Sequence, residues 1–321
     1  MRNPLIIALP SKGRLEEPAR TYFERAGLPI ERGVKGRQYR GSLSNVLGVE
    51  ISYLSASEIV GALQAGDVHF GITGEDLLRE QLPIMEERIE ILTGLGFGNA
   101  DVVVAVPQSW IDVATMSDLS EIALEYLHIR GKRLRCATKY SHLAGDFFAR
   151  HHIDDYRLVE SSGATEGAPH AGSADCIIDI SSSGATLSAN SLKILDDGMI
   201  LRSEASLCAA VKADWSGQME LVRMILSRLG ARQQGLRHIE LRFESNDKDK
   251  QWLPTLLKEK GARFSFGEAE GGICSLLCPQ SELANLCKEL HLKGKKTIIA
   301  SKADYIFEAQ NRLYEKLTAR L

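Results

Sequence analysis

The stretch Asp175-Cys176-Ile177-Ile178-Asp179-Ile180-Ser181-Ser182-Ser183-Gly184-Ala185-Thr186-Leu187 constrains the fold of this chain more than any other. An apolar run of this length, broken by one acid and bounded by turn formers, reads as a buried strand. The residues after it, Ser181, Ser182, Ser183, Gly184, Ala185 and Thr186, can turn several backbone N–H groups toward one anion. A helix read from Thr186 or Leu187 onward would add its positive end. The stretch is not a nucleotide P-loop, because no Gly-Lys-Ser/Thr ending follows. Its glycine spacing is not that of a dinucleotide fingerprint either. An ordinary strand–turn–helix connection fits the same residues, so from composition alone both readings stand open.

The rest of the chain repeats this alternation. Residues 5–9 read as a strand, Pro10-Ser11-Lys12-Gly13-Arg14 as the loop after it, and residues 15–26 as a helix. Open α/β sheets place ligand groups at the carboxyl ends of their strands. Cations are mildly unfavourable at a helix start, so Lys12 and Arg14 point to an anionic partner; a solvated helix start is the plain alternative. Residues 49–54 form a second strand, and Ser57 can cap a helix running to Ala65. The run from Val68 enters Gly71-Ile72-Thr73-Gly74, whose glycines allow close backbone approach to a ligand or simply a tight bend. Strand patterns at 89–95 and 101–106 flank Gly94, Gly96 and Gly98. Beyond Pro107 come an element at 118–127, strands at 134–138 and 156–160, a helix at 142–152 and a helix opening at 161–166. Strands alternating with helices predict a doubly wound α/β arrangement. After strand-like content at 199–210, residues 214–229 read as an amphipathic helix and 230–235 as a linker. The tail changes style, with strands at 236–243, 262–266, 272–278 and 297–300 and helices at 248–260 and 281–292. That β-α-β-β-α-β order is ferredoxin-like, and a final helix closes the chain.

Totals exclude several classes. The 321 residues allow two or three domains. A net charge of -3 with scattered basic residues is no polyanion-binding signature, so no nucleic-acid partner is expected. The first apolar run is too short for a signal peptide or a membrane span, which predicts a cytoplasmic protein without a membrane partner. The six cysteines lack a paired zinc-ligand spacing and read as buried, reduced thiols. No Ser-His-Asp or Cys-His arrangement stands out as a nucleophile.

Six segments, taken in order, resemble the ATP phosphoribosyltransferase family of histidine biosynthesis. They are Pro10-Ser11-Lys12-Gly13-Arg14-Leu15, Gly71-Ile72-Thr73-Gly74-Glu75-Asp76, Leu95-Gly96-Phe97-Gly98, Ala137-Thr138-Lys139-Tyr140, Glu160-Ser161-Ser162-Gly163-Ala164-Thr165-Glu166-Gly167-Ala168-Pro169 and residues 175–192. The resemblance covers residues 5–212 and implies two α/β lobes of the periplasmic-binding-protein type with the chain crossing twice. Lobe I would take residues 1–107 and 190–212, lobe II residues 108–189, and the active site the cleft between them. Residues 213–235 would be helix and linker, and 236–321 a ferredoxin-like regulatory domain, as in the family's long form. The implied reaction has N1 of the ATP adenine displace pyrophosphate from C1 of phosphoribosyl pyrophosphate (PRPP), with Mg2+ present and no dedicated protein cage around the ion.

By the match, Ser181 to Thr186 would hold the 5′-phosphate and Asp179 would face the ribose hydroxyls, either directly or through the metal's water shell. Lys12 and Arg14 would contact the polyphosphate, Gly13, Gly71 and Gly74 would be further substrate-binding positions, and Glu160 and Glu166 would line the cleft. Ser183 stands where the family often has Thr. Asn99-Ala100-Asp101 replaces a basic residue that many members carry, which removes the basis for an anion contact there. The tail does not match that domain's usual motifs, so histidine feedback and a homo-oligomer rest on architecture. The alternative is a catalytically inactive regulatory or small-molecule-binding protein on the same fold, against which the intact phosphate stretch weighs. The commoner PRPP loop carries two adjacent acids, and here Asp179 stands alone.

Overall fold

The computed structural model describes residues 3–33, 39–82, 84–161, 163–267 and 272–321. Ser162, part of one matched segment, lies outside them. The chain divides into two compact units, Met1–Thr21 with Ile30–Ser216 and Arg320–Leu321, and Tyr22–Pro29 with Gly217–Ala319.

The first unit holds two sheets. Lobe I is built from β1 (Leu5–Pro10), β2 (Ile30–Arg32), β3 (Arg40–Leu43), β4 (Val46–Leu54), β5 (Phe70–Gly74) and β6 (Ile89–Gly94), with the part of α1 (Glu16–Arg25) up to Thr21 and helices α2 (Ala56–Ala65) and α3 (Glu75–Gln81). Lobe II follows with β7 (Asp101–Pro107), β8 (Leu134–Thr138), β9 (Tyr156–Glu160), β10 (Cys176–Ser181) and β11 (Leu192–Leu201), and helices α4 (Met116–Arg130), α5 (Ser141–Arg150) and α6 (Ala185–Ala189). The chain then returns as β12 (Ala205–Ala210), which enters the first sheet between β5 and β6. The sheet orders are β2-β3-β4-β1-β5-β12-β6 and β11-β7-β10-β8-β9. This is the two-lobed, twice-crossed arrangement of the periplasmic-binding-protein type. β10 is central, parallel to β8 and antiparallel to β7, and its Cys176, Ile177 and Ile178 are fully buried.

Several local expectations are corrected. β7 and β11 pair with each other in the second sheet, so the crossings fall at residues 95–100 and 202–204 rather than near 107 and 190. The glycine-rich segment is the crossing, and Pro107 merely ends a strand whose apolar run would suit either lobe. The cap of α2 is Ser55, not Ser57. Its hydroxyl accepts from the Glu58 N–H while the Glu58 carboxylate accepts from the Ser55 N–H, a capping box. Residues 161–166 open only a short 3-10 turn at Thr165–Gly167. α6 has five residues, so its dipole adds little to the serine loop before it.

In the second unit, α7 (Met219–Arg237) runs straight through the expected linker. Gly235 serves close approach there: a Cβ would meet the Ala303 carbonyl oxygen at 2.6 Å. Strands β13 (His238–Ser245), β14 (Arg263–Phe264), β15 (Gly272–Pro279) and β16 (Ile298–Ser301), with α8 (Leu253–Glu259) and α9 (Leu283–Leu292), give the sheet order β14-β15-β13-β16. All its pairs are antiparallel, as in a ferredoxin-like domain. Ile239, Leu241 and Phe243 of β13 point to one face and pack with Leu257, Leu286 and Leu290 of the two helices. α10 (Arg312–Thr318) packs on α7. Among the described residues no helix is long and apolar enough to cross a membrane.

Candidate active site

On the lobe I side, β1 delivers Lys12, Gly13 and Arg14 to the carboxyl end of its sheet, where all three are exposed. Gly13 takes the left-handed conformation at φ 82°, which turns the loop back toward α1. The Arg14 guanidinium donates to the Asn99 carbonyl oxygen at 3.1 Å, so the crossing segment steers it. The two glycines of β5 do different things. Gly71 faces α2, and a Cβ there would meet Ile59 at 2.7 Å, which is a packing role. Gly74 makes room for a functional group, because the space of its absent Cβ is taken by the Asp76 carboxylate.

Asp76 is only 6% exposed, and each of its oxygens has a partner. Oδ1 accepts from the Ser203 hydroxyl at 3.0 Å and Oδ2 from the Tyr140 hydroxyl at 2.8 Å. The Asp76 N–H donates back to Ser203 Oγ at 2.9 Å. Three segments meet in this knot: the start of α3, the return crossing, and the turn after β8 in lobe II. Burial, then the Asp76 charge, push the Tyr140 phenol far up, so it remains a neutral donor.

On the lobe II side, Thr138 Oγ1 accepts from the Tyr140 N–H at 2.9 Å and fixes the turn that carries Lys139. At the end of β10, Asp179 is half-buried and accepts from the Ile180 N–H at 2.8 Å. Burial raises its pKa; the Ile180 N–H and Lys139 oppose that rise, and Glu166 adds to it. In the loop that follows, the Gly184 N–H donates to Ser181 Oγ at 2.9 Å and the Ala185 N–H to Ser183 Oγ at 3.4 Å. Gly184 is left-handed at φ 75°. Glu160 is exposed at the end of the edge strand β9.

A cleft of about 220 Å³ joins the two sides. Lys12, Gly13, Arg14, Gly74 and Asp76 line it from lobe I, and Lys139, Tyr140 and Ile180 from lobe II. Asp179 and the serine loop flank Ile180 without lining this cleft themselves, and Gly71, Glu160 and Glu166 also stand outside the lining. Sequence reasoning did not single out Asp76, Lys139, Tyr140 or Ser203 as site residues. Lys139 and Tyr140 carried a signal, since they follow directly on a strand end. Asp76 and Ser203 are 127 residues apart, and no local pattern links them. Among the described residues no group of three or more His, Cys, Asp and Glu side chains could hold a metal ion by itself.

The sequence pattern of the HisG family, described as ATP phosphoribosyltransferase, matches residues 55–231. A protein named ATP phosphoribosyltransferase from Nitrobacter winogradskyi is 47% identical, over 99% of this chain and 98% of its own. The chain belongs to the ATP phosphoribosyltransferase family. One named the same from Bradyrhizobium diazoefficiens is 46% identical over 100% of this chain and 99% of its own. The protein is an enzyme, a glycosyltransferase of histidine biosynthesis that moves the 5-phosphoribosyl group of PRPP to N1 of the ATP adenine and releases pyrophosphate. Among solved structures, a chain of the ATP phosphoribosyl transferase (HisG:HisZ) complex from Thermotoga maritima aligns with a TM-score of 0.54 at 23% identity. That alignment covers 70% of this chain and 96% of the other, a likeness of fold.

Proposed function

We propose that PRPP binds along the end of β10 with its pyrophosphate turned into the cleft. The observation that carries this reading is the convergence of Lys12 and Arg14 from one lobe and Lys139 from the other on a single 220 Å³ space beside Asp179. In this reading the amides and hydroxyls of Ser181, Ser182, Ser183, Gly184, Ala185 and Thr186 hold the 5′-phosphate. Ser181 and Ser183 hydroxyls now accept from loop N–H groups, and they turn outward as donors when the phosphate takes their place. Asp179 orients the ribose hydroxyls. Bond breaking builds positive charge on C1 and negative charge on pyrophosphate, so neutralisation by Lys12, Arg14 and Lys139 and alignment of the adenine N1 supply the rate. The Glu166 charge adds to the raised pKa of Asp179, and these two carboxylates would be the protein groups that help hold a magnesium ion brought in on PRPP. Stabilising the departing pyrophosphate is the chemistry the ion supplies. Glu160 remains a polar group at the rim, and Gly71 a packing residue.

The test is formation of phosphoribosyl-ATP from ATP, PRPP and magnesium, followed as a rise in near-ultraviolet absorbance. Asp179→Asn should lower kcat/KM for PRPP by about a hundredfold. The acid limb of its pH profile should titrate above the ordinary carboxylate value of 3.8 in the parent and vanish in the variant. Thr186→Ala should chiefly raise KM for PRPP; unchanged kinetics in both variants would remove PRPP from this loop.

We further propose that the tail is a regulatory domain that binds histidine, that copies of the chain assemble, and that the protein works in the cytoplasm. The ferredoxin-like sheet order supports the first of these. Histidine titrated calorimetrically into the intact protein should bind, and amide exchange should slow within residues 238–301. Protection confined to the two lobes would move the sensor out of the tail.

A further inference from the structure

Helix α5 has no cap of its own. Tyr140, the residue before it, offers no side-chain acceptor to the first-turn N–H groups. The acceptor comes from the other lobe. Glu80, in the last turn of α3, takes the His142 N–H on Oε1 and the Leu143 N–H on Oε2, both at 3.0 Å. A carboxylate suits a helix N-terminus both as a hydrogen-bond acceptor and as a charge. One turn earlier on α3, Asp76 accepts from the Tyr140 hydroxyl. Residues four apart share a helix face, so α3 grips the Tyr140–Leu143 segment at two successive points. Separating the lobes would hand both first-turn N–H groups of α5 to water.

We propose that Glu80 is a positioning residue, holding lobe II against lobe I so that Lys139 and Tyr140 reach into the cleft. Glu80 itself is not among the residues that line the cleft. The proposal rests on the cleft reading given above. Once substrates fill the cleft, their own contacts bridge the lobes, and the saturated complex no longer depends on this cap. Without the cap, the work of bringing the lobes together is drawn from binding, so KM rises while kcat holds.

Two readouts decide the matter. Spin labels at Leu47→Cys in lobe I and Ile111→Cys in lobe II, positions 96% and 82% exposed, report the lobe separation without substrates. They would be set on a Cys287→Ser background, with labelled chains diluted into unlabelled protein. Glu80→Ala should lengthen or broaden that distance and raise KM for PRPP about tenfold, with kcat changed less than about twofold. Glu80→Gln keeps one carbonyl acceptor and should fall between parent and alanine; it carries the same comparison if the alanine protein does not fold. An unchanged label distance overturns the role whatever the kinetics. A longer distance with unchanged KM overturns the positioning role too, and places substrates outside this cleft. Failure of the PRPP reading alone would instead appear as unchanged kinetics in Asp179→Asn, which leaves the label distances untouched.

Discussion

His69 shows how tightly one side chain can be specified. It is 6% exposed, accepts the Ile6 N–H at Nδ1 (3.1 Å) and donates from Nε2 to the Asp214 carbonyl oxygen (2.9 Å). Both ring nitrogens are therefore committed to the neutral form, and burial lowers the pKa below the ordinary 6.5. Between that lowered value and 6.5 the unfolded chain binds a proton that the folded chain refuses. Stability is therefore complete above pH 6.5 and falls as the pH drops toward the folded value. Melting temperatures measured from about pH 7.5 to about pH 5 should decline more steeply in the parent than in His69→Gln, and parallel curves would refute the assignment. At this scale legibility follows locality. Asp179 could be read because one acid in an apolar run is conspicuous. Asp76 could not, because its partners Tyr140 and Ser203 lie 64 and 127 residues away and give it meaning only after folding.

Elements were legible where the signal was periodic and short-ranged. The apolar runs of β1, β8 and β10 and the tail's strand–helix order emerge directly. The Ser55 and Glu58 pair also carried a capping signature in plain view. Three elements misled for physical reasons. The serine loop needs no long helix, since α6 closes after five residues. Gly235 in α7 marks close contact rather than a break, and the helix runs through Gly230 as well. α3 is too short, at seven residues, for a helical period to register. Yet α3 carries the lobe contacts, and its start depends on the strand before it. Gly74→Ala would drive a methyl group into the Asp76 carboxylate, displacing it from Tyr140 and Ser203. We expect a loss of about 1–3 kcal/mol in stability, as for other overpacked sites, together with a raised KM. Scanning calorimetry and steady-state kinetics would check both; a variant with parental melting and KM would show that the carboxylate has room to move.

At the scale of the molecule, the twice-crossed topology came from the family resemblance, while the position of the crossings did not. Apolar strands read alike in either lobe, and only pairing assigns β7 and β11 to the second sheet. The tail's ferredoxin-like order was legible from its strand and helix sequence, although what it senses was not. Its Asp249–Lys295 ion pair is almost wholly buried, with the Ser245 hydroxyl and the Asn246 N–H also donating to the same carboxylate. Lys295→Ala would leave that carboxylate buried without its cation, a change that typically costs about 3–5 kcal/mol. Chemical unfolding should therefore show a weakened tail, and a transition like that of the parent would mean that water reaches Asp249.

The insertion of β12 between β5 and β6 also sets an order of assembly on the ribosome. By the time residue 201 has been made, every strand of the second sheet exists, whereas the first sheet still lacks the strand that joins its two parts. β6 must wait, with no neighbour in its sheet, through the synthesis of a whole lobe. The later lobe can thus mature first, and the earlier one is sealed only as the nascent chain returns.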